Sequence, residues 1–464
     1  MPYKGETAGK SGHSSFVQNP DIQDFIAECD YIKEPTDDEA TSIGSSFIDT
    51  PVKQNIINPS YIIASDASKS DQSISDKLPS TQIGYVKLSQ VLIDMNSYGE
   101  IIDPKSRFVD PFKVAEIHRN ASAISFALPG SNVRYKNATN VKNGFRRAVY
   151  DQLSTNRSKN TNTKLVLSEI LFDINNNKLS FGSDSESWCP SCNFRFSYYL
   201  TKQQPTTTCP KCHETIFSTD WLRLHEDISD FGNNTSAITR MMNAVEHLLL
   251  ISTIKQVLEI NPIALSKISF IIDGPLAIFG QPAKLSFRIQ EFLHDTNEIL
   301  LKKGLDPILL MGLQKTGEIM DHANILSKFI PDSKLRIIDD KYRYKYIKGN
   351  DSPAASFGHE TYYGQDFLFK TKNSQIFCFG IPYPFKKRFN TTEFSELKSD
   401  MNNYGDMVSR ACQLIEHFEF DLYRSAIVPI ALAHRHASIS LVPGGKVLDV
   451  ITRTGLARSS GSAS

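Results

Sequence analysis

Two apolar segments that each lead into an aspartate constrain the fold of this chain more than any other feature of its sequence. The first, YIIASDAS, carries Asp66, and the second, ISFIIDGP, carries Asp273 directly before Gly274 and Pro275. Apolar runs that lead into a carboxylate and chain-breaking residues are typical of buried strands. We therefore expect two strands that end in Asp66 and Asp273 and could lie side by side at one edge of a sheet.

The order of strand-like and helix-like segments predicts a mixed α/β sheet. YIIASDAS, a polar loop and IGYVKLSQVLIDM predict an antiparallel hairpin, and ISFIID, a helix-like segment and PILLMGLQK predict a β-α-β unit. We expect five regions along the chain: a partly ordered extension (1–57), the first part of a core (58–186), an inserted cysteine module (187–215), the second part of the core (216–452) and a flexible tail (453–464).

A long helix predicted from about Thr235 to Ile260 carries a single acid, Glu246, in the middle of its apolar face. A lone charge on such a face costs free energy unless it is paired or binds a metal ion. Two interpretations remain open at this point, a buried salt bridge with Arg240 or Lys255 and a metal ligand.

Two further residues complete a candidate site. His434 lies in the helix-like segment PIALAHRHA, where it could ligate a metal or exchange a proton with water, although a lone histidine is usually structural and His436 is a rival. Lys315 follows the strand-like PILLMGLQ, where it could hold a phosphate or simply be solvated.

The order of these residues predicts metal-dependent cleavage of a phosphodiester. Mg²⁺ and Mn²⁺ prefer carboxylate oxygens, so a site for them needs several acids that converge from separate elements. Two such ions about 3.5–4 Å apart can activate water on one side of a phosphate and stabilise the leaving oxygen on the other. Each acid alone has an ordinary structural explanation, whereas their combination favours a catalytic site.

Four of the seven cysteines form two Cys-x-x-Cys pairs, which predict a structural zinc ribbon. The pairs are Cys189 with Cys192 and Cys209 with Cys212. Four thiolates fill a tetrahedral Zn²⁺ site and leave no open position, so this zinc should not be catalytic. Whether the ribbon contacts DNA, contacts a partner or only stabilises the insertion stays open.

The charge balance excludes a uniformly basic surface, because 51 Lys and Arg residues match 51 Asp and Glu residues. Nucleic-acid binding would then need local patches, for which residues 134–164 and the segment KYRYKYIK are candidates. Residues 134–164 could instead be a solvated loop and helix, and KYRYKYIK could instead be an edge strand. The candidate DNA-binding residues are Arg134, Lys136, Lys142, Arg146, Arg147, Lys341, Arg343 and Lys345.

The sequence also bears on compartment and energy source. It has no secretory signal and no apolar run of about 18 residues, and its cysteine pattern favours a metal site over disulfides, so we expect a cytoplasmic protein without a membrane span. It contains no Gly-x-x-x-x-Gly-Lys-[Ser/Thr] motif, so any ATP-driven movement along DNA must come from a partner.

The chain resembles the NurA nuclease family. The resemblance is carried by IIASDAS, the helical Glu246, IIDGPL, GLQKTG and PIALAH, over roughly residues 58–100 and 235–450. It implies a ribonuclease H-like core in which Asp66, Glu246, Asp273 and His434 hold Mn²⁺ or Mg²⁺ for cleavage of DNA. It also implies a homodimer that works with a hexameric HerA-type DNA-translocating ATPase in DNA end processing or antiviral defence.

The chain departs from the family pattern in two places. Where family members carry a tyrosine before the late histidine, this chain has Ala426, and Tyr383 or Tyr423 would have to substitute. The zinc ribbon is an addition to the simplest members. The competing interpretation is a catalytically inactive zinc-ribbon scaffold that binds nucleic acid and recruits an ATPase, and a transcription-type zinc-ribbon protein would leave Glu246 unexplained.

Overall fold

A computed structural model describes residues 18–29, 34–51, 59–99, 120–158, 163–182, 187–349, 356–388, 390–419, 425–439, 448 and 450–453. Its strands are β1 (Ile48–Asp49), β2 (Tyr61–Ser73), β3 (Gln82–Asp94), β4 (Ala121–Pro129), β5 (Ser187–Trp188), β6 (Arg195–Phe196), β7 (Thr206–Thr208), β8 (Thr215–Phe217), β9 (Ile268–Asp273), β10 (Leu309–Gln314), β11 (Lys334–Ile337), β12 (Gly364–Lys370) and β13 (Ile376–Pro382). Its helices are α1 (Pro20–Glu28), α2 (Asp37–Ser45), α3 (Met95–Gly99), α4 (Val141–Ser154), α5 (Leu167–Asp173), α6 (Thr235–Ile260), α7 (Pro262–Leu265), α8 (Lys284–Lys302), α9 (Glu318–Leu326), α10 (Asp340–Tyr342), α11 (Thr391–Ser399), α12 (Met407–Phe418) and α13 (Val428–Ala437). Short 3₁₀ segments cover Ser218–Leu222, Leu224–Asp227, Gln281–Ala283 and Met401–Tyr404, and a π-helical segment covers Arg343–Ile347.

Nine strands form one mixed sheet in the order β1-β11-β12-β13-β10-β9-β2-β3-β4. β2 and β3 form an antiparallel hairpin that pairs from Tyr61↔Asp94 to Ser73↔Gln82, and β4 continues it. β9 runs parallel to β2, and β10 runs parallel to β9 after the crossover helix α8. The predicted mixed sheet, hairpin and β-α-β unit are therefore confirmed. One detail differs, because β2 continues past Asp66 instead of ending there.

Helices cover both faces of the sheet, which explains why its central strands are apolar throughout. Along β2, Ile62 and Ala64 belong to the core beneath α12 and α13, whereas Ile63 belongs to the core beneath α6. In β9 every residue before Asp273 is buried, as expected for a strand covered on both faces. The long predicted helix is present as α6.

The predicted cysteine insertion contains two short hairpins, β5–β6 and β7–β8. Cys189 and Cys209 are fully buried and belong to the same apolar core as α6. Arg146 of α4 forms an ion pair of 2.6 Å with Asp220, and the two side chains are only 1% and 2% exposed. Arg146 also donates to the carbonyl oxygen of Thr215 in β8. The hairpins are thus fixed to the rest of the fold by apolar packing and by the hydrogen bond from Arg146 to β8.

The segment KYRYKYIK is helical, so its interpretation as an edge strand is wrong. It forms α10 and the π-helical segment Arg343–Ile347. The side chain of Asp339 accepts a hydrogen bond of 2.8 Å from the backbone N–H of Tyr342, which caps the start of this helix. The cap at Asp339 therefore favours a helix here, although the side chains alternate as they would in a strand.

The predicted N-terminal extension contributes to the fold in part. β1 pairs with β11, and Ala40, Ile43 and Phe47 are buried in an apolar cluster with residues of α9. Residues 454–464 of the predicted tail lie outside the described residues, and the division into five regions stays a prediction. In the part of the chain that the structure describes, no helix is both long and apolar enough to cross a membrane.

Candidate metal centre

The first feature of the site is the point where β2 and β9 diverge. Their parallel pairing ends at Ser65↔Ile272, so Asp66 and Asp273 are the next residues on the two strands. Gly274 follows with φ of +108°, a conformation that favours glycine, and its N–H donates to the carbonyl oxygen of Leu313 in β10. The predicted meeting of the two aspartates is therefore present in the fold.

His434 joins these aspartates from α13, which packs across β2 and β3. One ligand atom each from Asp66, Asp273 and His434 lie within 4.8 Å of one another. The Nδ1 atom of His434 lies 2.8 Å from Oδ2 of Asp66, and Asp66 is 5% exposed whereas the histidine side chain is 55% exposed. Among the described residues, the rival His436 does not belong to this cluster.

Glu246 approaches from α6, the helix on the other face of the sheet. Its residue is 6% exposed, and its Oε1 atom has no hydrogen-bond partner among the described residues. Burial raises the pKa of this carboxyl group well above its usual range, and the negative charges of Asp66 and Asp273 raise it further. Glu246 therefore lies close enough to both aspartates to interact with them, although it falls outside the 4.8 Å cluster.

The alternative interpretation of Glu246 as half of a salt bridge is wrong. Arg240 pairs with Asp227, and Lys255 lies 2.6 Å from a carboxylate oxygen of Glu259. Neither predicted cation is available to neutralise Glu246. A buried carboxylate oxygen that has no hydrogen-bond partner among the described residues, close to two other acids and with Lys315 as the nearby cation, is costly to ionise unless a further cation binds there.

Lys315 lies beside the aspartates, directly after β10. Its ammonium group is 2.5 Å from Oδ2 of Asp273, and the lysine side chain is 26% exposed. Burial raises the pKa of Asp273 to about 6, an effect that Lys315 opposes and that Asp66 reinforces. One lysine thus faces three carboxyl groups, so the pocket retains an excess of negative charge when all of them ionise.

This donor set fits a hard divalent cation. Three carboxyl groups and one imidazole from four separate elements are the ligands that Mn²⁺ and Mg²⁺ accept. The orphaned oxygen of Glu246 and the raised pKa values of Glu246 and Asp273 indicate a site built for added positive charge. The residues that would hold the ion are Asp66, Glu246, Asp273 and His434.

A second cluster consists of the four predicted cysteines, whose sulfur atoms lie within 4.8 Å of one another. The sulfurs of Cys189 and Cys212 are 3.7 Å apart, and those of Cys192 and Cys209 are 3.8 Å apart. A tetrahedral zinc site with Zn–S bonds of about 2.3 Å places its sulfurs about 3.8 Å apart. The four thiols therefore fit Zn²⁺ in both number and spacing.

Two of the predicted DNA-binding residues are in the wrong place for that role. Arg146 is buried against Asp220, and Arg343 is buried against Asp366 with an ion pair of 2.6 Å. Both guanidinium groups therefore stabilise the interior and cannot reach a nucleic acid. The remaining candidates are exposed or half-buried and stay predictions: Arg134, Lys136, Lys142, Arg147, Lys341 and Lys345.

Sequence reasoning missed a buried pair beside Glu246. The Nδ1 atom of His247 lies 2.6 Å from the hydroxyl oxygen of Tyr363, and both side chains are inaccessible to solvent. Burial raises the pKa of Tyr363 well above its usual range and the charge of Glu246 raises it further, which places this tyrosine near the acid. The position of His247 next to Glu246 was the available signal. Tyr383, considered as a replacement for the family tyrosine, instead packs in an apolar cluster with Phe394, and Tyr423 lies outside the described residues.

Comparison with known proteins gives one distant likeness. No protein-family model and no curated protein matches the chain. Among solved structures, the crystal structure of the NurA nuclease from Sulfolobus solfataricus is similar over 97% of this chain and 98% of that chain, with 9% sequence identity and a TM-score of 0.37. The structural relationship to that protein is a distant one.

Proposed function

We propose that this chain is a metal-dependent nuclease that hydrolyses phosphodiester bonds in DNA. The observation that carries the proposal is the convergence of Asp66, Asp273 and His434 within 4.8 Å, with the unpaired buried carboxyl group of Glu246 beside them. If these residues had only a structural role, one lysine would have to offset the negative charges of three acids. A divalent cation supplies that compensation, and phosphoryl chemistry uses such cations.

The side chains divide the chemistry as follows. When bound, Mn²⁺ or Mg²⁺ would stabilise the negative charge that develops on the scissile phosphate. The Nδ1 atom of His434 lies 2.8 Å from Asp66, so this nitrogen would join Asp66 at the ion, or the histidine would accept a proton from the attacking water. The ammonium group of Lys315, already fixed beside Asp273, would donate to a phosphate oxygen.

The decisive experiment compares Asp66→Asn with Asp76→Asn on linear and circular DNA, in Mn²⁺, in Mg²⁺ and after removal of both. Asp76 is an exposed aspartate that pairs with Arg453 away from the cluster, so it serves as the matched control. Because Asp66→Asn removes a ligand charge, its cleavage rate should fall by roughly 10²-fold or more. Full activity of Asp66→Asn, or an inactive wild-type protein that still binds DNA, would favour the scaffold interpretation instead.

The central strands support a finer proposal about the fold, namely a ribonuclease H-like core. Three consecutive strands, β2, β3 and β4, pair antiparallel, and two later strands, β9 and β10, extend the sheet in parallel from β2. The candidate acids lie on the first and fourth of these five strands, as the family resemblance implies. An experimental structure with Mn²⁺ bound between Asp66 and Asp273 would test this proposal.

We also propose that the protein acts in the cytoplasm as a homodimer with a hexameric HerA-type ATPase. The sequence has no Gly-x-x-x-x-Gly-Lys-[Ser/Thr] motif, and α1 leaves Phe25 and Ile26 more than 60% exposed, which makes α1 a candidate contact. Co-purification and molecular-mass measurement test the assembly. Cleavage of long duplex DNA should rise with the ATPase and hydrolysable ATP, and a monomer that ignores the ATPase would contradict the proposal.

A further inference from the structure

The cysteine hairpins carry a row of stacked aromatic rings. Phe194 and Phe196 have ring centroids 6.1 Å apart and planes inclined by 22°, and Phe196 and Tyr198 are 4.5 Å apart and inclined by 27°. Tyr198 contacts Phe181 at 5.3 Å, and Phe181 is buried in the core. The row therefore has an anchored inner end at Phe181 and an outer end at Phe194, which is 37% exposed.

The outer end of this aromatic row carries positive charge. The Nζ atom of Lys211 lies 5.6 Å from the ring centroid of Phe194, and the Nζ atom of Lys178 lies 4.8 Å from that of the exposed Tyr199. No ion pair of the described residues involves Lys178 or Lys211. Phe194 and Tyr199, two exposed rings of the cysteine insertion, thus each have a lysine beside them.

This surface is also held rigidly. The backbone N–H of Cys189 donates to the carbonyl oxygen of Phe194 at 2.8 Å, and the hydroxyl of Tyr198 donates to the carbonyl oxygen of Trp188 at 2.8 Å. Rings that are fixed before binding lose little conformational freedom when a ligand stacks on them. A scattered exposed phenylalanine would need no explanation, but an ordered row with flanking cations does.

We infer that the Phe194 end of the row is a stacking platform for an unpaired base of single-stranded nucleic acid, with Lys211 as a contact to its phosphate. Aromatic faces accept any base, and cations neutralise the backbone beside it. An apolar protein segment would not use the unpaired lysines. The inference deepens the proposed nuclease function, since it supplies a holding site for a frayed strand end.

Segments that follow the cysteine hairpins in the chain pack near the loop that leaves the candidate metal centre. The 3₁₀ segments that follow the hairpins, Ser218–Leu222 and Leu224–Asp227, contact the 3₁₀ segment Gln281–Ala283. That segment ends the loop that begins at Asp273. The hairpins that carry Phe194 are thus followed in the chain by segments that pack against the loop leaving β9.

The test is equilibrium binding of fluorescently labelled oligo(dT), oligo(rU) and a duplex of equal length, measured by anisotropy without added Mn²⁺ or Mg²⁺. Phe194→Ala should weaken single-strand binding by roughly 5- to 100-fold, the loss that one stacked base contributes, and should leave duplex binding unchanged. Phe194→Trp should restore affinity. Phe231→Ala, a change at a phenylalanine that is 98% exposed, is the matched control, and equal affinity for the DNA and RNA strands indicates recognition of bases rather than sugars.

A second variant keeps the inference testable if Phe194→Ala disturbs the hairpins, which bound zinc per chain would report. Lys211→Ala should lower the slope of log affinity against log salt by about 0.7, the value for one lost phosphate contact on a single strand. Single-strand affinity of Phe194→Ala equal to that of Phe231→Ala, or an unchanged salt slope in Lys211→Ala, would overturn the inference. Because this assay measures binding and not cleavage, the inference can be tested even if the protein proves not to be a nuclease.

Discussion

Replacement of Asp273 by asparagine should stabilise the metal-free protein at neutral pH, although it removes a proposed ligand. Burial raises the pKa of Asp273 from an ordinary value of 3.8 to about 6. A difference of about two pKa units corresponds to about 3 kcal/mol between the protonated and ionised forms of the folded state. Asparagine resembles the protonated form, so it avoids this cost.

The sign of the pH dependence follows from proton linkage. Between pH 3.8 and about 6 the folded protein binds more protons at Asp273 than the unfolded chain does. The contribution of this group to the free energy of unfolding is therefore fully present at the acidic end and is lost as pH rises to about 6. The difference in the free energy of unfolding between Asp273→Asn and wild type should grow across this pH range and then stay constant at about 3 kcal/mol.

The assay is urea unfolding of both proteins from pH 4.5 to 8, after dialysis against metal-free buffer. Asp295→Asn is the matched control, because Asp295 also pairs with a lysine, at 2.6 Å, but is 51% exposed. The free energy of unfolding of Asp295→Asn should equal that of wild type at every pH. Added Mn²⁺ should then stabilise wild type, by about 2.7 kcal/mol at one hundred times the dissociation constant, and should stabilise Asp273→Asn far less. A pH-independent gap, or a destabilised variant at pH 8, would refute the electrostatic reasoning.

Three further changes test other parts of the structure. Glu246→Gln should raise the melting temperature of the metal-free protein, because it removes a carboxyl group whose ionised form this buried, acidic site penalises, and should abolish the shift that Mn²⁺ produces; a normal Mn²⁺ shift would contradict its role as a ligand. Metal analysis should find about one tightly bound Zn²⁺ per chain, and Cys192→Ser should lose that ion and lower stability, whereas a stable zinc-free protein would contradict the ribbon. Arg343→Ala should cost about 3–5 kcal/mol, because it leaves Asp366 charged and buried, and should leave the salt dependence of DNA binding unchanged.

The strands that carry Asp66 and Asp273 could be predicted because their burial on both faces requires a continuous apolar run, which is visible in the sequence. Glu246 was visible for the opposite reason, as a charge placed where the helix periodicity demands apolar residues. The local pattern did not reveal what neutralises such a charge. That depends on which side chains the sheet order brings near it.

The basic residues show where sequence reasoning reaches its limit. Arg146 looks like its exposed neighbours in the sequence, but its partner Asp220 lies 74 positions away. Arg343 sits in an alternating segment whose helical form depends on the cap supplied by Asp339. Burial of a charged side chain is decided by a distant partner, so a count of nearby lysines and arginines cannot distinguish a DNA-binding surface from an interior ion pair.

The sharing of one apolar core by Cys189, Cys209 and α6 means that the cysteine hairpins are not a detachable module. A truncated protein that lacks them would expose the α6 side of the sheet on which Glu246 depends. Chelation or oxidation of the four thiols should therefore disturb a candidate metal centre that contains no sulfur. Oxidants would therefore abolish the proposed cleavage through loss of structure, before any residue of the candidate metal centre reacts.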